Sequence, residues 1–248
     1  MRGGEEAPPA VGAAVILAAG SGSRLRGVLP DRPKALLELG GVTLLERSLD
    51  ILRSACVPRV VLVAGHHAGA FGPFVDRRPV EVVVNPDHLG TGSMRSLYAA
   101  GDHVDGDFLL LESDLLYEPR AVTDLLRLPP GDWLLLSGPT GQGDEVYAYG
   151  GEMCLDLLTK ARLPDREPVG EYVGMGRLTR SLLEAMCRRH EAVAADCPGY
   201  HYDDCLSDLC GTRTIRPHLA ADLVWAEIDD AAQLQRAVER VLPALSTV

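Results

Sequence analysis

Short apolar runs alternate with amphipathic segments through the first 140 residues, and this alternation restricts the fold more than any other feature. The runs are nearly continuous, which is typical of strands buried on both faces of a parallel sheet. They cover residues 13–20, 59–65, 80–85, 107–114 and 132–138. Segments with helical spacing separate them at 43–55, 93–103 and 121–128. This order predicts right-handed βαβ units and an α/β fold with a mainly parallel, mixed sheet flanked by helices.

The second half of the chain is less regular. We expect strands at 145–150, 170–178 and 223–229, and helices at 178–193, 203–211 and 230–242. Asp230 is the predicted N-cap of the last helix. Because no linker rich in Pro, Gly or Ser separates the halves, residues 11–248 are predicted to form a single domain. Residues 1–10 are predicted to be a disordered tail.

Charge and composition exclude several classes of partner. The 248 residues carry a formal net charge of −11, which disfavours nucleic acid and anionic membranes, so any bound anion needs a local site. No apolar run reaches the ~20 residues that span a bilayer, and the N-terminus lacks the order of a signal peptide. Six cysteines without a CxxC pair indicate free thiols in a reducing compartment, which predicts a cytoplasmic protein.

The first apolar run leads into LAAGSGSRLRGVLPDRPKALLEL, residues 17–39. Its strand ends at the carboxyl edge of the sheet, where open α/β folds bind ligands. Gly20 and Gly22 let backbone N–H groups approach a phosphate that a Cβ would block. Arg24 and Lys34 can add positive charge to the same phosphates. The segment therefore predicts a phosphate-binding loop.

Two better-known glycine loops do not fit this segment. A GxGxxG fingerprint starting at Gly20 requires glycine where Leu25 stands, and a P-loop starting at Gly22 requires lysine where Val28 stands. An ordinary turn after a strand is the simplest alternative. The preceding strand and the ordered Arg and Pro-Lys that follow favour phosphate binding.

Together with RPKALLELGGVTLLER, residues 32–47, this loop resembles the opening of the sugar-phosphate and phosphocholine nucleotidyltransferases. Phosphocholine and phosphonate (2-aminoethylphosphonate) cytidylyltransferases are the most similar. The resemblance implies a Rossmann-like nucleotidyltransferase fold, with a nucleotide-binding half at 11–140 and an acceptor-binding half at 141–248. It also implies that Arg24 and Lys34 are catalytic and neutralise an NTP triphosphate. The residues that would cradle this triphosphate are Leu17, Ala18, Ala19, Gly20, Ser21 and Gly22.

The segment NPDHLGTGSMRSLYAA, residues 85–100, opens a predicted helix. Gly90, Thr91 and Gly92 would then present free backbone N–H groups. The resemblance implies that this segment reads a pyrimidine base, with Asn85, Gly90 and Thr91 as contacts and CTP as the favoured nucleotide. Uracil stays open, because LGTG also occurs in uridylyltransferases. The alternative is a plain helix start in which Thr91 is only a cap.

Two carboxylates follow apolar strands. Asp114 ends the segment 107–114 and Asp229 ends the late segment 223–229, with Glu227 as a fallback. Nucleotidyl transfer uses Mg²⁺ to offset charge on the α-phosphate and on pyrophosphate. The resemblance implies that Asp114 and Asp229 ligate this metal. An aspartate that only caps a turn is the alternative.

Two later segments are candidates for the acceptor. VGEYVGMGRLT, residues 169–179, resembles the substrate-side strand of the phosphocholine and phosphonate cytidylyltransferases, which makes Glu171 and Tyr172 candidate contacts. YHYDDCLSDL, residues 200–209, sets aromatic rings beside Asp203 and Asp204, and this combination suits an ammonium group. A helix with a solvated acidic face is an equal alternative.

These observations predict a Mg²⁺-dependent cytidylyltransferase. It would transfer CMP from CTP to a small phosphonate or phosphate, such as 2-aminoethylphosphonate or phosphocholine, and release pyrophosphate. A sugar-1-phosphate uridylyl- or thymidylyltransferase and an inactive nucleotide-binding regulatory module are the alternatives. A homodimer is one assembly that the sequence leaves open.

Overall fold

The computed structural model describes residues 11–20, 22–25, 27, 32–65, 67–75 and 78–245. The tail predicted at 1–10 and the predicted loop contact Ser21 lie outside these ranges. The first half contains, in chain order, β1 (Ala13–Ala18), β2 (Glu38–Leu39), β3 (Val42–Thr43), α1 (Leu44–Ser54), β4 (Val60–Ala64), α2 (Gly72–Val75), β5 (Val80–Val84), α3 (Ser93–Ala99), β6 (Phe108–Glu112), β7 (Leu115–Tyr117), α4 (Arg120–Arg127) and β8 (Asp132–Ser137).

The second half adds five strands and four helices within the described ranges. They are β9 (Tyr147–Gly151), β10 (Cys154–Thr159), β11 (Gly170–Leu178), α5 (Arg180–Val193), α6 (Tyr202–Cys210), β12 (Ile215–Ala220), β13 (Trp225–Glu227), α7 (Ala231–Arg236) and α8 (Leu242–Leu245). None of the described helices is long and apolar enough to cross a membrane.

Nine of the described strands form one central sheet. Its main path runs β10-β9-β11-β6-β1-β4-β5, while β8 pairs with β11 and β12. β1 is parallel to β4 and β6, β4 is parallel to β5, and β8 is parallel to β12. β11 is antiparallel to β6, β8 and β9. The predicted α/β fold with a mixed sheet is confirmed, and strands from both halves contribute to it.

Burial on both faces of the sheet explains the continuous apolar runs. All six residues of β1 are buried. Ala14 and Ile16 enter one hydrophobic cluster with residues of α1, whereas Val15 and Leu17 enter a second cluster with residues of α3 and α5. Because successive side chains of a strand point to opposite faces, both sets of positions must be apolar.

The run predicted as one strand at 107–114 divides in two. β6 ends at Glu112, and β7 leaves the central sheet to pair antiparallel with β13. Ser113 and Asp114 lie between them, where polar side chains interrupt the apolar run. The late strand is shorter than the predicted 223–229 and belongs to this two-stranded ribbon. The ribbon therefore brings Asp114 and the end of β13 together.

Other differences from the predicted elements have local causes. The hairpin β2–β3 was not predicted because each strand has two residues; Gly40 and Gly41 form its turn with φ of 60° and 80°. β12 was missed because Pro217 interrupts its pattern. The helix predicted at 230–242 contains a π-helical stretch at Ala237–Val241. Asp230 caps α7 as predicted, by accepting from the N–H groups of Ala232 and Gln233.

At Gly92, the backbone at the start of α3 packs closely against the backbone of the segment that precedes α6. Its N–H donates to the carbonyl of Pro198 at 2.9 Å, and a Cβ on Gly92 would lie 2.3 Å from the carbonyl oxygen of Tyr200. Since this neighbour is backbone, the two segments would have to move apart to admit any side chain.

We expect Gly92→Ala to lower the free energy of unfolding by about 2 kcal/mol, or ~4–8 °C in Tm for a chain of this size. Gly90→Ala is the matched control, because a Cβ at Gly90 meets nothing within 4 Å. Thermal unfolding by circular dichroism compares them. Equal melting temperatures for the two variants would contradict the close approach at Gly92.

Candidate functional site

A cavity of about 780 Å³ opens at the carboxyl edge of β1 and β6, a size usual for small-ligand sites. Of the predicted site residues that the structure describes, Asn85 and Gly90 are the ones outside its wall. The wall contains Leu17, Ala18, Ala19, Gly20, Gly22, Arg24, Lys34, Thr91, Asp114, Glu171, Tyr172, Asp203, Asp204 and Asp229. Residues from both halves of the chain therefore share one cavity.

Lys34 lies between two carboxylates at one end of this cavity. Its ammonium donates to Oδ2 of Asp114 and to Oδ1 of Asp229. Burial lowers the pKa of Lys34, but the two carboxylates raise it by more, so the ammonium stays protonated. Burial also raises the pKa of Asp229, and Lys34 and Arg24 hold it below its usual range. The guanidinium of Arg24 lies 2.9 Å from Oδ2 of Asp229.

The glycine loop packs directly on this lysine. Gly22 has a φ of 59°, a left-handed conformation that favours glycine. A Cβ there would lie 3.0 Å from Cγ of Lys34. Pro33 precedes the short 3₁₀ turn Lys34–Leu36 in extended conformation and directs the chain into it. Gly22 thus allows the loop to lie against Lys34.

Carboxylates outnumber cations on the cavity wall. Nine Asp or Glu side chains and three Lys or Arg side chains line it in the described part of the chain. Carboxylate oxygens of Glu112, Asp114 and Glu227 lie within 4.8 Å of one another. Burial first, and then Asp114, Asp229 and Asp144, raise the pKa of Glu227 to about 8. Burial and Glu227 raise that of Glu112 well above its usual value.

This donor set fits a hard divalent cation. It consists of carboxylate oxygens without thiolates or imidazoles, which suits Mg²⁺ and not zinc. Asp114 belongs both to this group and to the pair that holds Lys34. The residues present therefore fit the predicted magnesium ion. Of the two predicted ligands, Asp114 belongs to this group, whereas Asp229 lies outside it and is paired with Lys34 and Arg24.

Gln233 holds the second aspartate in place. Its Oε1 accepts from the N–H groups of Asp229 at 2.6 Å and Asp230 at 3.2 Å. Its Nε2 donates to Oδ1 of Asp144 at 2.9 Å, and the other oxygen of Asp144 lies 3.9 Å from Arg24. Gln233 therefore links the end of β13 to the loop between β8 and β9. Sequence analysis recognised neither Gln233 nor Asp144, because their pairing spans 89 residues.

The segment predicted to read the base is arranged differently from the expectation. The N–H groups of Gly90 and Gly92 are not free, because they donate to the carbonyls of Asp87 and Pro198. Asn85 is fully buried, and its side chain donates to Ser96 and accepts from the N–H of Asp87. Thr91 lines the cavity and donates its hydroxyl to the carbonyl of Asp87. Asn85 therefore does not line the cavity, and its hydrogen bonds hold this segment in its conformation.

Some of the residues predicted to bind the acceptor already have hydrogen-bond or ion-pair partners within the protein, and others are available to a ligand. Oε2 of Glu171 accepts from the N–H and hydroxyl of Thr140 at 2.8 and 2.6 Å, and Asp204 accepts from the N–H of His201. Asp208, on the same helix, is paired with Arg189 and does not line the cavity. Burial, followed by the neighbouring Asp204, raises the pKa of Asp203. Asp203 is therefore the acidic residue of α6 that is best placed to meet a cation.

Several wall residues were not predicted as site residues. They are Glu112, Asp144, Lys160, His201 and Tyr202. Glu112 could have been predicted from the sequence, because it stands two residues before Asp114. In a strand, residues two apart lie on the same face. Lys160 and Tyr202 come from elements that only the folded chain brings to the cavity.

The fold matches that of known nucleotidyltransferases. The chain matches the family described as the MobA-like NTP transferase domain over residues 14–248. The inositol-1-phosphate CTP transferase from T. maritima superposes with a TM-score of 0.83 at 21% identity, over 96% of this chain and 98% of that one. This protein belongs to the MobA-like NTP transferase family.

Two proteins of similar sequence have names that refer to phosphonate substrates. CMP-5'-(3-aminopropyl)phosphonate synthase of Streptomyces rubellomurinus is 32% identical over 250 residues, covering 93% of this chain and 39% of that protein. The 2-aminoethylphosphonate cytidylyltransferase of Lancefieldella rimae is 31% identical over 158 residues, covering 56% of this chain and 64% of that protein. The chain thus spans about two fifths of the length of the first relative and just under two thirds of the second.

The pKa of Glu227 predicts a pH-dependent stability in metal-free buffer. A carboxyl whose folded pKa of about 8 exceeds the usual 4.5 stabilises the fold below pH 4.5, and this contribution is lost as pH rises through 8. Glu227→Gln should therefore lose less stability than wild type between pH 5 and 9, which thermal unfolding records as a smaller fall in Tm. Melting curves in a chelator that run parallel for both proteins would contradict the raised pKa.

Proposed function

We propose that this protein is a cytidylyltransferase that transfers CMP from CTP to a small phosphonate or phosphate acceptor and releases pyrophosphate. The observation that carries the proposal is Lys34 held between Asp114 and Asp229 beside the glycine loop. The two sequence relatives named for phosphonate substrates and the CTP transferase of the same fold support the choice of CTP and of the acceptor class.

The reaction needs positioning and charge stabilisation more than covalent chemistry. An acceptor oxygen attacks the α-phosphorus of CTP in line, a new P–O bond forms, and the bond to pyrophosphate breaks. The attacking oxygen of a phosphonate or phosphate is already anionic, so no general base is required. Arg24, Lys34 and the N–H groups near Gly20 and Gly22 are placed to stabilise charge that develops on the triphosphate.

In this proposal Asp114 and Glu227, two of the three clustered carboxylates, would hold a magnesium ion together with the predicted ligand Asp229. When bound, the ion supplies positive charge against the phosphates and helps to orient them. The excess of carboxylates on the wall supports this role, because a triphosphate could not enter such a cavity without added cations. Lys34 fills part of this need in the protein without ligands, since it neutralises the two aspartates that face each other.

We propose that the acceptor binds in the part of the cavity lined by Tyr172, Asp203 and Lys160. Lys160 makes no ion pair within the described residues, and it lowers the pKa of Asp229 and opposes the rise in that of Asp203. We assign its ammonium to the phosphonate or phosphate group of the acceptor. The carboxylate of Asp203 suits a positively charged substituent on the same molecule.

We also propose a reducing, cytoplasmic location, supported by six cysteines that are all free thiols. The single-domain organisation of residues 11–248 is proposed on the ground that one sheet includes strands of both halves. A homodimer stays a prediction, which light scattering of the purified protein would test.

The function is tested by mixing the protein with CTP, Mg²⁺ and 2-aminoethylphosphonate and following products by ³¹P NMR. We expect a CMP-phosphonate conjugate and equimolar pyrophosphate, with at least tenfold slower reaction for UTP, little for ATP, and none in excess chelator. Glucose 1-phosphate with UTP or dTTP is the control for the sugar-nucleotide alternative. Faster transfer to the sugar phosphate, or pyrophosphate release at equal rates from ATP and CTP, would overturn the proposal.

A further inference from the structure

Glu112 is a carboxylate on the wall of the cavity. Among the described residues it makes no ion pair, and its Oε1 accepts a hydrogen bond of 2.7 Å from the hydroxyl of Tyr202. Gly174, with a φ of 79°, leaves room for it, because a Cβ there would lie 2.7 Å from Oε2 of Glu112. The backbone of β11 thus gives this carboxylate space that any other residue would fill.

Two tyrosines stand beside this carboxylate. The rings of Tyr172 and Tyr202 meet edge to face with centroids 6.3 Å apart. Tyr172 is 6% exposed, and its hydroxyl lies near that of Tyr202 but makes no hydrogen bond of good geometry within the described residues. Buried hydroxyls nearly always have a partner in a folded protein. The hydroxyl of Tyr202 already donates to Glu112, so the hydroxyl of Tyr172 keeps its acceptor capacity for a polar group of a ligand on the cavity wall.

We propose that Glu112 and the hydroxyl of Tyr172 form a subsite for a primary ammonium group of the acceptor. This inference rests on the proposed function, and it extends the acceptor contacts beyond Asp203. The carboxylate supplies the opposite charge, the tyrosine rings suit a cation, and the hydroxyl of Tyr172 accepts one of the three N–H bonds that a primary ammonium offers. A trimethylammonium group has no N–H and would leave that hydroxyl unpaired.

The position of Glu112 agrees with this assignment. A carboxylate oxygen of Glu112 lies within 4.8 Å of one of Asp114, so the proposed ammonium subsite adjoins the carboxylates that face the reacting phosphates. The same proximity makes a divalent cation the competing occupant, and the test below separates the two.

The experiment compares kcat/KM for 2-aminoethylphosphonate, 2-hydroxyethylphosphonate and 2-(trimethylammonio)ethylphosphonate. Wild type should prefer the primary amine, and Glu112→Gln should reduce its preference over the hydroxy compound by roughly ten- to a hundredfold while the hydroxy compound reacts as before. Tyr172→Phe should reduce the preference over the trimethyl compound by roughly tenfold. Glu145→Gln is the matched control, because Glu145 also lines the cavity but accepts from the N–H of Gly143.

Calorimetric binding of the amino and hydroxy compounds to the nucleotide-free proteins gives a readout that does not depend on turnover. Binding of the amine that depends on Glu112, without any CMP transfer, would overturn the proposed function and leave the subsite in place. Transfer with an amine preference that Glu112→Gln leaves unchanged would overturn the subsite alone. Equal loss for amino and hydroxy compounds, with a higher Mg²⁺ requirement, would show that Glu112 serves the metal and would also overturn it.

Discussion

The contact of one ammonium with two carboxylates is the constraint on which the rest of the site depends. Lys34 bonds to Asp114, 80 residues along the chain, and to Asp229, 195 residues along. Two partly buried carboxylates that face each other repel strongly unless a cation lies between them. Lys34 is that cation. The arrangement draws the glycine loop, the end of β6 and the end of β13 to one place.

The surrounding backbone is built to hold these three groups. The ribbon β7–β13 turns Asp114 and Asp229 toward each other, and the cap of α7 fixes the second of them through Gln233. The same glutamine reaches the loop between β8 and β9 through Asp144. In that loop, the carbonyl of Thr140 accepts a hydrogen bond from Arg236, and its N–H donates to Glu171. The charges around Lys34 are thereby tied to the opposite wall of the cavity, so one frame could align both substrates of the proposed reaction.

Patterns that are local in sequence predicted the fold and one end of the cavity. The buried strands, the glycine loop, Lys34 and the two aspartates each follow from residues that are close along the chain, because a parallel sheet places its strand ends at one edge. The arrangement of the segment predicted to read the base was predicted less well. The backbone N–H groups of Gly90 and Gly92 donate to the carbonyls of Asp87 and Pro198. No local pattern in residues 85–100 predicts a hydrogen-bond acceptor about a hundred residues away. Lys160, Gln233 and Tyr202 were missed for the same physical reason.

The role of Lys34 in charge stabilisation is the central claim, and the single-turnover rate of Lys34→Ala at saturating CTP, acceptor and Mg²⁺ tests it most directly. Near-ultraviolet circular dichroism of the variant confirms that the fold persists. Removal of a charge that acts on the transition state should slow the chemical step by about 10²–10³-fold with a much smaller effect on CTP binding. A rate within threefold of wild type would show that the ammonium between Asp114 and Asp229 is only structural.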